Sequence, residues 1–299
     1  RPQRRAQRRQ LRRAMTAARA LPAGYRGLAE LDAGLAIGAT RGGRTIRAQA
    51  FGAGGPTTLV VAGVHPIEWI GVEVARALAA ALAAAPPPDR RVVIAPVLNP
   101  DGYAAVEADL RAGRRRWHRT SGRDGRSLGV DLNRNFPIAH RAPPAWWRGL
   151  PHGGAAPWSE PETRALAAIV EDPRWAPIDR AVSLHAFGRV ILLPWAHRRA
   201  RPPRYRELRA HAEAIAARMP ERYRVWQAGR VPPGGLAGLE LDWLTSRGAL
   251  TLLVECTGGG FGLTAPATWT SPFAWYNPAD GAARAAPIAR ALEPFVRGA

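Results

Sequence analysis

The 299-residue chain contains no lysine. All 43 basic side chains are arginine, and against 23 acids they give a formal charge of +20. A charge of that size ordinarily points to a polyanionic partner. Here it comes with a sequence heavy in Ala, Pro and Gly from end to end, so it reads as a compositional bias of the whole chain, and nucleic acid is not the expected partner. Cysteine is nearly absent as well: Cys256 stands alone and has no partner for an intramolecular disulfide, which fits a reducing compartment such as the cytoplasm without fixing one. Apolar runs of the roughly 20 residues that a membrane-spanning helix needs are missing, so no membrane span is expected. The pairs Arg4-Arg5, Arg8-Arg9 and Arg12-Arg13 break any apolar core of a signal peptide in residues 1–20. The chain opens on Arg1 rather than Met, which leaves a preceding leader open.

What is present suits a folded α/β protein. Hydrophobic residues make up 46% of the chain, and the 31 Gly and 28 Pro are dispersed rather than blocked. The length accommodates one large domain. The expected division is a basic N-terminal arm over residues 1–22, solvated and flexible, followed by a single catalytic domain over 23–299.

Alternation around Ala36-Ile37-Gly38 and Thr45-Ile46-Arg47-Ala48-Gln49-Ala50 predicts two short antiparallel edge strands. Thr58-Leu59-Val60-Val61-Ala62-Gly63-Val64 is a buried strand. The run from Trp69 to Ala84 places Ile70, Val74, Leu78 and Leu82 on one helical face, and Pro86-Pro87-Pro88 stops it. A second apolar strand at 91–97 ends at Asn99-Pro100-Asp101-Gly102-Tyr103, a sharp turn by composition. Strand, helix and strand at this spacing predict a parallel crossover. Residues 107–128 read as a long exposed loop rich in arginine, and Ser159-Glu160-Pro161-Glu162 as a capping-box start for a helix to Glu171. Later come strands around Leu184-His185-Ala186 and Val190-Ile191-Leu192-Leu193, helices at 205–219 and 242–247, and the apolar strand 249–256 carrying Glu255.

The chemistry gathers at strand exits. His65-Pro66-Ile67-Glu68 sets an imidazole and a carboxylate three residues apart, able to close on one divalent metal; taken alone, the pair reads first as a surface or loop polar pair. His185 and Glu255 also fall at the carboxyl ends of predicted strands, where functional groups of open α/β sheets collect. An unpaired acid in a buried strand is costly unless metal, water or a cation meets it, so Glu255 asks for a role. Cys256, next to it, is expected on the opposite face as packing. His118, His140, His152, His197 and His211 fit no ligand position.

With Gly63-Val64-His65-Pro66-Ile67-Glu68-Trp69, Asn99-Pro100-Asp101-Gly102-Tyr103, Gly129-Val130-Asp131-Leu132-Asn133-Arg134-Asn135-Phe136, Ser159-Glu160-Pro161-Glu162-Thr163, Leu184-His185-Ala186-Phe187 and Val254-Glu255 in that order, the chain resembles the zinc metallocarboxypeptidase family, in its carboxypeptidase A-like and murein peptide amidase-like branches, from about 37 to 260. The resemblance implies a mixed, mostly parallel eight-stranded sheet sandwiched by helices. It implies one Zn2+ held by His65, Glu68 and His185, with Glu255 as general base. Asp131 is implied behind a ligand imidazole, and Asn133 and Arg134 on the free carboxylate of a peptide substrate, murein-derived peptides included.

The chain departs from the family pattern in places. The arginine that steadies the oxyanion would fall on His118 if Trp117 is aligned, with Arg116 and Arg119 on either side; Arg119 is the choice made here. The tyrosine that closes over substrate in the digestive enzymes has no counterpart in Val231-Pro232-Pro233-Gly234-Gly235-Leu236-Ala237-Gly238. Leu241 is expected near the pocket for the cleaved residue. Two alternatives remain: an N-acyl-amino-acid hydrolase of the desuccinylase or aspartoacylase type, sharing the metal triad, and a catalytically dead binding module.

Overall fold

Val, Ile and Leu crowd the central strands, and those strands are buried on both faces, as parallel strands covered by helices must be. The computed structural model describes residues 19–121, 129–142, 152–231, 235–263 and 265–299. Eight strands, β1 (Leu35–Ala39), β2 (Thr45–Phe51), β3 (Thr57–Val61), β4 (Arg91–Ala95), β5 (Ile178–His185), β6 (Val190–Leu193), β7 (Arg224–Gln227) and β8 (Leu250–Glu255), form one sheet in the order β1-β2-β4-β3-β5-β8-β6-β7. The central block β4-β3-β5-β8 is parallel and β6 pairs parallel with β7, while the β1–β2, β2–β4 and β6–β8 pairs are antiparallel. The expected mixed, mostly parallel sheet is therefore present.

The helices are α1 (Trp69–Ala84), α2 (Pro100–Arg111), α3 (Pro161–Glu171), α4 (Tyr205–Arg218), α5 (Glu240–Ser246), α6 (Pro266–Thr270), α7 (Pro272–Tyr276) and α8 (Gly281–Arg297). Strand periodicity divides the core in two. Val60, Val182, Leu184, Leu252 and Val254 pack with α1, α4 and α8, whereas Leu59, Val61 and Ala181 pack with α3, α5 and Phe136. Leu253 meets Leu239 and Leu241 at the start of α5. Odd-numbered residues of β5 and β8 therefore face α5. His185 and Glu255 are odd-numbered and pair in register at the ends of their strands. Cys256 points the other way, into the α1 core, as expected.

Several expectations need correction. The turn at 99–103 is the start of α2: the Asn99 side chain accepts from the Gly102 N–H at 2.9 Å, and Pro100 takes the first helical position, where its missing N–H costs nothing. Residues 107–111 continue that helix rather than opening a loop. Helix α3 begins without a capping box. Glu160 is its N-cap, and the Ser159 hydroxyl instead meets Asn135 Nδ2 at 2.8 Å. Strand β7 and helix α8 are additions; Pro287 and Pro294 inside α8 hide it from a periodicity reading. Most of the basic arm, together with Arg123, Arg126, residues 143–151 and Pro232-Pro233-Gly234, lies outside the described residues. At the arm's end, the Arg19 N–H donates to the Arg111 carbonyl and Leu21 packs on the core. Among the described residues, no helix is long and apolar enough to cross a membrane.

One buried acid on α3 makes a testable contribution to stability. Glu162 is 1% exposed and one of its carboxylate oxygens has no partner; burial, with the nearby charges of Glu160 and Asp101, pushes it up to about 7. A carboxyl that holds its proton more tightly when folded favours the fold most below its unfolded pKa of about 4.5, and that advantage is lost as pH rises through about 7. Glu162→Gln should therefore stabilise the protein at pH 8 relative to its effect at pH 5, by on the order of 2 kcal/mol. Urea unfolding at the two pH values measures the difference, and equal effects at both would refute it.

Candidate metal centre

The loop carrying His65 and Glu68 is held from three sides. Past β3, the Ala62 N–H donates to the Ala95 carbonyl, and the N–H groups of Leu98 and Asn99 donate to the carbonyls of Ala62 and Gly63. Gly63 has φ +62, and a Cβ there would sit 2.9 Å from the Val97 Cα, so this close turn needs glycine. From the helix side, Trp69 Nε1 donates to the Pro66 carbonyl at 2.9 Å, and its ring stacks on Tyr103 with centroids 4.1 Å apart. Asn277 completes the clamp: its Nδ2 donates to the Ile67 carbonyl and its Oδ1 accepts from the Ile70 N–H.

His65, Glu68 and His185 converge, all buried. His65 Nδ1 lies 2.8 Å from Glu68 Oε1, His185 Nδ1 lies 3.0 Å from Glu68 Oε2, and the two Nδ1 atoms are 3.1 Å apart. Behind them, His65 Nε2 meets Asp131 Oδ1 at 3.1 Å, and His185 Nε2 meets Glu240 Oε1 at 2.8 Å. An ionised carboxylate only accepts, so each Nε2 carries a proton toward its acid, and each Nδ1 donates to Glu68 when protonated and frees a lone pair where a cation takes that proton's place.

Asp131 Oδ1 also accepts from the Asn133 N–H at 3.0 Å and so caps the 3-10 turn Leu132–Arg134. Its Oδ2 accepts from Arg119 Nε at 2.9 Å. Arg119 Nη1 lies 3.6 Å from Glu68 Oε1, whereas His118 turns away to Asp109 at 2.8 Å. Of the three residues around the Trp117 alignment, Arg116 and His118 lie toward Asp109 and Arg119 is the one beside the cluster. Asn133 Oδ1 accepts from the Glu240 N–H at 3.1 Å, and its Nδ2 lies 3.4 Å from His185 Nε2. Half-buried Arg134 donates from Nη1 to the Asn133 carbonyl at 2.6 Å. Glu255 sits next to His185 across the β5–β8 register with its Oε2 buried and unpartnered.

Burial opposes every charge here, and neighbours decide which charges survive. Glu68 is held below the usual carboxylate range: burial raises it, but the His65 charge and hydrogen bonds from both imidazoles outweigh that. Asp131 goes the same way, chiefly through Arg119, which Asp131 and Glu68 in turn hold protonated despite its burial. Burial would neutralise His185, yet hydrogen bonds with Glu240 and Glu68 push it up to about 10. Glu255 has no such support. Burial and the Glu68 charge push it up to about 8.

Two residues of this constellation escaped the sequence reading. Glu240 is an acid inside the apolar stretch Leu239-Glu240-Leu241, the kind of placement that calls for a partner. Asn277, some 210 positions from the loop it clamps, carries no signal in the sequence.

The donor set fits a metal ion. Two imidazole lone pairs and a carboxylate within 2.8 to 3.1 Å of one another are mutually repulsive unless a proton or a cation lies among them. Those separations are close to the roughly 3.3 Å edges of a tetrahedron of ligands about 2.0 Å from zinc. His65, Glu68 and His185 are thus positioned to bind a metal ion.

Comparison with known proteins agrees with this geometry. Bovine carboxypeptidase O is 30% identical over 156 residues, covering 50% of this chain and 40% of that protein. The chain thus spans less than half the length of that relative. The structure of bovine thrombin-activatable fibrinolysis inhibitor, in complex with tick carboxypeptidase inhibitor, superposes with a TM-score of 0.68 at 20% identity, covering 89% of this chain and 96% of that one. Murein-tripeptide amidase MpaA from Escherichia coli O157 superposes with a TM-score of 0.56 at 20% identity, covering 92% and 97%. These two structures share the fold. The sequence model of the zinc carboxypeptidase family matches residues 30–251, and the chain belongs to that family.

Proposed function

We propose that the protein is a zinc-dependent metallopeptidase hydrolysing an amide bond next to a free C-terminal carboxylate, with murein-derived peptides among its candidate substrates. The reading rests on one observation above the others: Glu255, with a buried and unpartnered oxygen, ends its strand in register with His185, beside a three-donor cluster. A zinc ion held by His65, Glu68 and His185 would supply Lewis acidity toward a carbonyl oxygen and a water of lowered pKa. Glu255 is placed to take a proton from the attacking water and to deliver it to the leaving amine. The Glu255 proton is held up to about 8 by burial and by Glu68, and it is released more readily beside a dication.

Arg119 is fixed by Asp131 and lies close enough to the cluster to donate toward negative charge developing on the carbonyl oxygen. Asn133 and Arg134 take the substrate carboxylate. The Glu240 N–H on Asn133 Oδ1 sets which end of that amide can donate, and the planar guanidinium of Arg134 offers parallel N–H groups to two oxygens. Asp131 holds His65, caps the turn that presents both anchors, and so ties the metal end of the site to the carboxylate end.

Three outcomes are expected. Glu255→Gln should lower kcat by about 10²-fold or more while metal analysis still finds one zinc per chain. Loss of zinc from that variant would move Glu255 into the ligand set. Peptides with free C-termini should be cleaved and their amidated counterparts spared, with Arg134→Lys raising KM by roughly tenfold. Activity confined to amidated peptides would remove the anchor role of Asn133 and Arg134, and turnover of N-acyl amino acids in place of peptides would move the assignment to that class. Finally, a ligand imidazole must give up its proton, and His185 holds one up to about 10, so apparent zinc affinity should climb by about tenfold per pH unit from pH 6 to 8. Competition against a chromophoric chelator measures this, and a flat profile would argue against His185 as a ligand.

A further inference from the structure

Glu240, the first residue of α5, is fully buried, and its partners are unevenly distributed. Oε1 accepts from His185 Nε2 at 2.8 Å and from Ser183 Oγ at 2.6 Å, while Oε2 has no partner among the described residues. Among the described residues its one ion pair is with His185. Asp131 offers a contrast, because it is shared between His65 and Arg119. Orienting an imidazole does not require a charge, since a glutamine carbonyl would accept the same N–H. A buried carboxylate with no guanidinium beside it costs several kcal/mol unless positive charge reaches it by another route. The available route is through the His185 ring to whatever sits at Nδ1, 3.0 Å from Glu68.

We propose that Glu240 is a positioning residue for the metal: it locks the His185 ring with Nδ1 toward the cluster and supplies, through that ring, negative charge that a dication at the cluster requires. The two ligand imidazoles are then backed unequally. His65 leans on a carboxylate already neutralised by arginine, and His185 leans on one that is not. The Glu240 main-chain N–H separately holds Asn133 Oδ1 at 3.1 Å, so a side-chain substitution leaves that contact in place. This inference rests on the metallopeptidase reading, and its test separates the two.

Glu240→Gln keeps the shape and the acceptor but removes the charge. The zinc dissociation constant, measured by chelator competition on the full chain, should rise by about 10- to 100-fold. The visible absorption bands of the cobalt(II)-loaded variant should shift. A dissociation constant within twofold of the parent, or an unmoved cobalt spectrum, would overturn the proposal while leaving the hydrolase reading intact. A parent protein that binds neither zinc nor cobalt would overturn both. Should Glu240→Gln fail to fold, Glu240→Asp, which keeps the charge but withdraws it by one methylene, should weaken zinc binding several-fold, and unchanged affinity there would be equally decisive against it.

Discussion

Two imidazole nitrogens and a carboxylate pressed to within about 3 Å of one another repel unless a positive charge lies between them, and much of the surrounding structure serves to keep them there. Strand β5 carries His185 as its last residue. The turn at Gly63 returns the chain sharply enough to bring His65 beside it. Trp69 and Asn277 then fix the loop and the first turn of α1, so that Glu68 faces inward. Without a cation, a proton on His185 satisfies the same constraint, which is why burial fails to neutralise that ring. A dication would take that proton's place among ligands already gathered before it binds.

The outer shell is asymmetric, and it follows from the two-sided sheet. The α5 side of β5 and β8 presents Ser183, His185 and Glu255, and helix α5 begins directly over them with Glu240. The other imidazole is backed from a different segment, the 131–134 turn, with Arg119 reaching in behind it. Gly238, at φ +70, brings the chain ahead of α5 against that turn. A Cβ there would sit 2.2 Å from the Arg134 carbonyl. The Gly238 backbone also pairs with Phe136 and Ile138, so the two supporting segments are laced to each other as well as to the ligands.

What could be read from the sequence was local. His65, His185 and Glu255 follow runs of apolar residues whose lengths mark them as buried strands, so their arrival at one sheet edge was foreseeable. Asn, Pro, Asp and Gly at 99–103 serve a helix N-terminus as well as they serve a turn, so composition alone does not separate the two. The Ser159 capping box failed for a tertiary reason: Asn135, 24 residues earlier, claims the hydroxyl. Helix α8 went unread because two prolines interrupt it, yet it packs on α1 in the main core. The choice between His118 and Arg119 could not come from spacing, since adjacent residues differ by less than an alignment can resolve. In the structure the two meet different acids, His118 Asp109 and Arg119 Asp131.

The same logic explains why Glu240 escapes a motif search while Asp131 does not. Asp131 sits two residues before Asn133 in a run whose polar density is itself a signal, and its side chain acts on its own turn as well as on His65. Glu240 acts only at a distance, on a residue 55 positions away, from within an apolar stretch that reads as core. Among the described residues its carboxylate pairs with no cation but His185, so its energetic cost depends on what that ring carries. A residue whose charge makes sense only with a ligand present is legible once the partners of every buried acid have been followed outward, and at Glu240 that path ends where the lone pairs of His65, Glu68 and His185 meet.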